Sequence, residues 1–63
     1  MDITERKREI LLLLAKGKRA KDIGEILGIS EQAIRNHIRE LKLRIGADTP
    51  SMLIYEACKQ KII

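Results

Sequence analysis

Residues 20–46, AKDIGEILGISEQAIRNHIRELKLRIG, decide how this chain folds. Ile23, Ile26 and Leu27 repeat at i, i+3, i+4, the spacing of one face of a short helix. Gly28 follows directly, where a helix end most often takes a left-handed residue. Ser30 then stands where its side-chain oxygen can accept a free backbone N–H, and Glu31 suits the positive end of the next helix dipole. Ile34, Ile38, Leu41 and Ile45 repeat at i, i+4, i+7, i+11, and Gly46 closes that second, longer helix. Two amphipathic helices joined by a tight glycine turn make a helix-turn-helix.

The second helix, about residues 31–45, has two unlike faces. Its aliphatic stripe asks for burial, which turns Gln32, Arg35, Asn36, Arg39 and Lys42 outward together. Arg reads guanine, and Asn or Gln reads adenine, through paired hydrogen bonds in the major groove of DNA. A charged surface helix is also simply a solvated one, so the face alone leaves both readings open. The turn in front of it favours recognition.

From Ile3 to about Ala57 the chain resembles the LuxR-type (GerE-like) DNA-binding domain of bacterial transcription regulators. The motifs stand in order: Ile3-Thr4 with Arg6, then Leu13-Leu14-Ala15-Lys16-Gly17, Lys21-Asp22-Ile23, and Leu27-Gly28-Ile29-Ser30. Ile34-Arg35-Asn36-His37-Ile38 and Arg44-Ile45-Gly46-Ala47 complete the set. The chain departs from the family at Lys7 (usually Glu), Arg19-Ala20 (Ser-Asn), Ala33 (Thr) and Pro50 (Arg). The resemblance implies an all-α fold of four helices that binds double-stranded DNA to regulate transcription. It also implies homodimerisation through the fourth helix. Family members usually carry a sensor or receiver domain ahead of this one, so the chain is either free-standing or an excised domain.

Sixty-three residues make one domain, 1–63, at most. So short a chain buries a modest fraction of its surface, and a partner would add to its stability. Hydrophobic residues are 44% of the chain, nearly all aliphatic, with Tyr55 the only aromatic. Thirteen basic against nine acidic residues give a net charge of +4, which favours a polyanionic partner. Cys58 is the one cysteine, which excludes an internal disulfide and a cysteine-based zinc site. No apolar run approaches transmembrane length and no signal peptide is evident, so no membrane partner is expected and a cytoplasmic location is the default.

Residues 3–16 read as a first helix, capped by Thr4 and ended by Gly17. Ile10 to Leu14 cover most of its cylinder and must be buried on more than one side. Lys16, Lys18, Arg19 and Lys21 surround the next turn, either solvated or clamping phosphate, since the first helix of such a motif crosses the DNA backbone. Beyond Asp48-Thr49-Pro50-Ser51, about residues 51–60 form the fourth helix, with Leu53, Ile54, Ala57 and Cys58 on its apolar face. That face serves either the core of one subunit or a homodimer. Ile62 and Ile63 either fray or join it.

His37 is the only histidine, and no nucleophile or acid stands near it in triad spacing. A lone His lacks co-ligands for a metal, and no glycine-rich phosphate loop is present, so neither an enzyme nor a cofactor or metal site is expected. The expected site is therefore Arg35, Asn36 and Arg39 on the bases, with Lys21, Ser30, Gln32 and His37 on the DNA backbone. Leu53, Ile54, Ala57 and Cys58 form the expected dimer contact. The alternative is a module like sigma-factor region 4, which has a similar turn and docks on RNA polymerase or another regulator.

Overall fold

The computed structural model describes residues 3–63 and contains four helices in the order α1 (Glu5–Ala15), α2 (Ala20–Leu27), α3 (Glu31–Ile45) and α4 (Pro50–Lys59). Three begin on a side-chain cap. Thr4, Ser30 and Thr49 each accept the backbone N–H three residues on, from Lys7 at 3.2 Å, Ala33 at 3.1 Å and Met52 at 3.1 Å. Each such cap contributes about 1 kcal/mol. The N-cap of helix α2 is Arg19, whose side chain has no acceptor atom. Asp22 makes only the reciprocal bond, its carboxylate accepting the Arg19 N–H at 3.3 Å. Gly28 and Gly46 end α2 and α3 at φ +73° and +85°, the left-handed conformation an L side chain resists.

The helices enclose two aliphatic cores that share α3 as a wall. Ile10, Ile23 and Ile34 fill one, between α1, α2 and α3. Leu11, Leu41, Ile45, Ala47, Leu53 and Ala57 fill the other, between α1, α3 and α4. Leu14 and Ile38 pack against both. This explains the leucine run of α1: Ile10 and Leu11 face opposite cores, so both are fully buried. Burying one such side chain contributes roughly 1.5–3 kcal/mol. Among the described residues no polar or charged side chain is buried, so nothing in these cores demands a compensating bond.

Two details differ from the sequence pattern. Ile26, expected on the inner face of α2, is 54% exposed. The inner stripe is instead Ala20, Ile23, Gly24 and Leu27, which leaves Ile26 on the flank of so short a helix. The second difference concerns α4. Leu53 and Ala57, expected at a dimer contact, are both completely buried against Leu11, Leu41 and Ile45 of the same chain. Ile54 is half-buried and Cys58 is exposed, while Met52 and Tyr55 are the large apolar side chains α4 leaves outside. The i, i+4 pairing of Leu53 with Ala57 is the seam that holds α4 to its own subunit.

Gly24 fixes how α2 meets α3. A Cβ at this position would stand 2.6 Å from the carbonyl oxygen of Ile29 and 3.3 Å from the backbone nitrogen of Glu31. Both are backbone atoms in the turn, so no rotamer change can relieve the overlap. Gly24→Ala should therefore lower stability by about 1–3 kcal/mol, the usual cost of overpacking a tight site. Urea unfolding checks it, and an unchanged midpoint would mean that α2 can back away freely. Ala57→Glu should abolish the cooperative unfolding transition, because an enclosed charge costs several kcal/mol against a stability of about 5–15 kcal/mol. Tyr55→Glu on the exposed side should leave the helical circular dichroism intact. An Ala57→Glu chain as stable as the wild type would contradict the α4 packing.

Candidate nucleic-acid interface

The burial of Ile34, Ile38, Leu41 and Ile45 fixes the roll of α3. At about 100° per residue, Gln32, Arg35, Asn36, Arg39 and Lys42 then fall within an arc of roughly 120° on the outer side. Gln32, Arg35, Asn36 and Arg39 are exposed, and Lys42 is half-buried at the edge. Leu43 lies on the same side toward the C-terminal end and is 79% exposed. The structure thus brings all three expected base readers together on one face.

Facing that stripe is an open groove of about 670 Å³. Gln32, Arg35, Arg39 and Lys42 form one bank, Lys18, Arg19 and Ala20 the other, with Leu14 and Ile38 at its floor and Pro50 at its rim. Five of the ten lining residues are basic and none is acidic. The positive field of a concave site concentrates on whatever enters it.

The expected backbone contacts are distributed less evenly. Gln32 lines the groove, but its amide is also committed within α3: Nε2 donates to Asn36 Oδ1 at 3.1 Å. Ser30 is exposed at the entrance to α3, with its oxygen accepting from Ala33. Lys21 is exposed on α2 and is not part of the groove; Lys18 and Arg19, in the turn before it, occupy the facing bank. His37 lies about 160° around the helix from Arg39. It is half-buried against α1, where Lys7 Nζ donates to its Nδ1 at 3.2 Å and also lies 3.6 Å from Glu40. The structure therefore joins His37 to α1 and does not bring it to the outer face. This contact occupies the site where Lys7 departs from the family pattern.

Arg35 is held as well. Its Nε and Nη2 both donate to Glu31 Oε2, at 3.0 and 2.6 Å. The signal for this bond and for the Gln32–Asn36 bond was present in the sequence, since residues i and i+4 are neighbours on a helix surface. Among the described residues, no group of three His, Cys, Asp or Glu side chains could hold a metal ion, and no helix is long and apolar enough to cross a membrane.

The family of bacterial regulatory proteins termed the luxR family matches residues 1–57. The spore germination protein GerE of Bacillus subtilis is 37% identical over 54 residues, which cover 86% of this chain and 73% of that protein. The transcriptional activator protein SolR of Ralstonia solanacearum is 33% identical over 61 residues, 97% of this chain but 26% of SolR. The chain spans about a quarter of the length of several such relatives. Among solved structures, the transcription factor GerE superposes with a TM-score of 0.89 at 37% identity, covering 94% of this chain and 88% of that one. The response regulator ChrA of a heme-sensing two-component system superposes at 0.96 with 27% identity, over all of this chain and 31% of ChrA. The four-helix, all-α fold is thus shared with GerE.

Proposed function

The chain belongs to the luxR family of bacterial regulatory proteins, and we propose from this premise that residues 1–63 act as one DNA-binding domain of a transcription regulator. Helix α3 enters the major groove of duplex DNA, and the protein acts by binding, in the cytoplasm, with no reaction of its own. The observation that carries this reading is the groove beside α3, whose charged lining residues are all basic.

Each element then has a task. Arg35, Asn36 and Arg39 meet base edges, because they share the outer stripe of a helix whose inner stripe is locked in two cores. Lys18 and Arg19, across the groove, meet phosphates as the chain passes from α1 to α2, joined by Lys42 at the edge. Ser30 and Gln32 sit at the mouth of the major groove, where a hydroxyl and an amide can donate to phosphate while serving their own helix. Lys21 is a more distant phosphate contact. His37 acts through the fold.

A single module of this size covers limited DNA surface, so two copies on adjacent half-sites would gain contacts and set a spacing of about one helical turn. The exposed strip of α4, Met52, Tyr55 and Cys58 flanked by Ile54, is the surface for that pairing.

Binding should weaken steeply with salt, each neutralised phosphate adding about 0.9 to the slope of log affinity against log salt. Lys18→Ala should weaken all sequences alike and lower that slope by about one, whereas Arg35→Ala should cost roughly 1–3 kcal/mol on the preferred site and relax one base position. His37→Ala should reduce folding stability by about 1 kcal/mol, through loss of a half-buried hydrogen bond, and leave the salt slope unchanged. Titrations of labelled duplex at several salt concentrations read all three. A flat salt response in the wild type would refute DNA binding, and a lowered slope for His37→Ala would return that residue to the interface.

A further inference from the structure

Glu31 is the first residue of α3, immediately after the Ser30 cap, and its carboxylate is the acidic group placed against a base reader. Both of its bonds come from one edge of the Arg35 guanidinium, the edge made by Nε and Nη2, and both end on the same oxygen. A guanidinium carries five N–H donors in a plane. With the Nε/Nη2 edge engaged, the two donors of Nη1 and the second donor of Nη2 remain, and the latter with the adjacent Nη1 donor forms the end edge of the fork. That end edge has the spacing that guanine O6 and N7 accept.

We propose that Glu31 is a positioning residue for base readout: it holds the side edge of Arg35, so that the end edge faces a guanine and the guanidinium is kept off the phosphates. This inference rests on the DNA-binding reading above and adds what sets its selectivity.

Three physical effects support it. On a free helix surface an i, i+4 ion pair adds little to stability, so its consequence is to be sought in binding. A long arginine side chain loses rotamer freedom when it docks, and a partner that orders it beforehand removes part of that loss. A carboxylate at the groove mouth is also repelled by every phosphate, whatever the sequence, and competes with phosphate for the same guanidinium. The expected result is weaker binding to arbitrary DNA together with sharper discrimination at one base pair. Gln32 and Asn36 form a parallel i, i+4 pair beside it, which offers an internal control, because Asn36 does not touch Glu31 through that bond.

The test uses the full chain and the duplex selected by the wild type from a random pool. Binding is measured to that duplex, to random duplex, and to variants at the position where Arg35→Ala loses base preference. Glu31→Gln keeps the residue's size and leaves the Ser30 cap in place, and circular dichroism confirms the fold. Glu31→Gln should bind random duplex severalfold more tightly while losing roughly tenfold of the discrimination at that position, the order expected for one bidentate base contact. It should leave the Asn36-dependent position unchanged, and it should cause no further loss of discrimination in an Arg35→Ala background. A Glu31→Gln chain whose affinities for preferred and substituted sites shift by one common factor overturns the proposal. So does a loss of discrimination that persists undiminished without Arg35. A wild type with neither salt dependence nor base preference overturns the DNA reading itself, and is recognised before any variant is compared.

Discussion

The approach of Gly24 to the Ile29 carbonyl is the constraint on which the arrangement of the chain turns. An added Cβ there would lie 2.6 Å from a backbone oxygen, so α2 and the turn are in contact main chain to main chain. The turn is also tied back to α2, since the Ile29 N–H donates to the Gly24 carbonyl at 2.9 Å. With that distance fixed, Ile23 reaches Ile34 and Ile10 in one core. The turn that carries Lys18 and Arg19 then stands across a groove from the outer stripe of α3. Widening the α2–α3 contact would empty the first core and move the two basic banks apart together.

Helix α3 is held from two sides, and this is why its polar face has a definite direction. A helix packed on one core alone has its roll set by contacts along a single stripe. Here Ile34 is locked in one core and Leu41 and Ile45 in the other, with Ile38 against both. Rolling the helix would expose residues in one core while overpacking the other. The Lys7–His37 bond adds a polar tie from α1 on the flank. A chain of sixty-three residues has little surface to bury. Sharing one helix between two small cores lets most of that burial also orient the outer stripe.

Much of this was legible in the residues. The caps Thr4 and Ser30, the glycine stops at 28 and 46, and the aliphatic repeat of α3 are local signals, and they gave the helices nearly to the residue. What periodicity cannot supply is which of two partners covers an apolar face. Leu53 and Ala57 satisfy an inner core or a dimer equally well on paper, and only the position of Leu11 and Ile45 assigns them to the core. Ile26 shows the complementary limit, because an eight-residue helix offers too few turns to tell the centre of its buried stripe from the edge. His37 lies next to Asn36 in sequence yet on the far flank in space, and a motif match does not carry that distinction. Lys18 and Arg19 belonged to a visible basic cluster, but which members face α3 depends on the direction of a turn.

The first turn of α3 joins folding to readout more closely than any other part of the chain. Ser30 caps the helix, the Glu31 backbone nitrogen lies within 3.3 Å of where a Gly24 side chain would begin, and the Glu31 carboxylate grips Arg35. Residues that order the helix end therefore also order the side chains expected to meet the bases. This suits what a short recognition helix must do. Exposed arginines and amides on a mobile helix end would lose freedom twice on docking, once in the backbone and once in the side chain, and each loss is of the order of 1–2 kcal/mol per residue. A helix end packed against the turn, with Arg35 and Asn36 bonded to residues one turn back, has met part of that loss in folding. The polar stripe can then be both solvent-facing and well directed, a combination that burial alone could not give it.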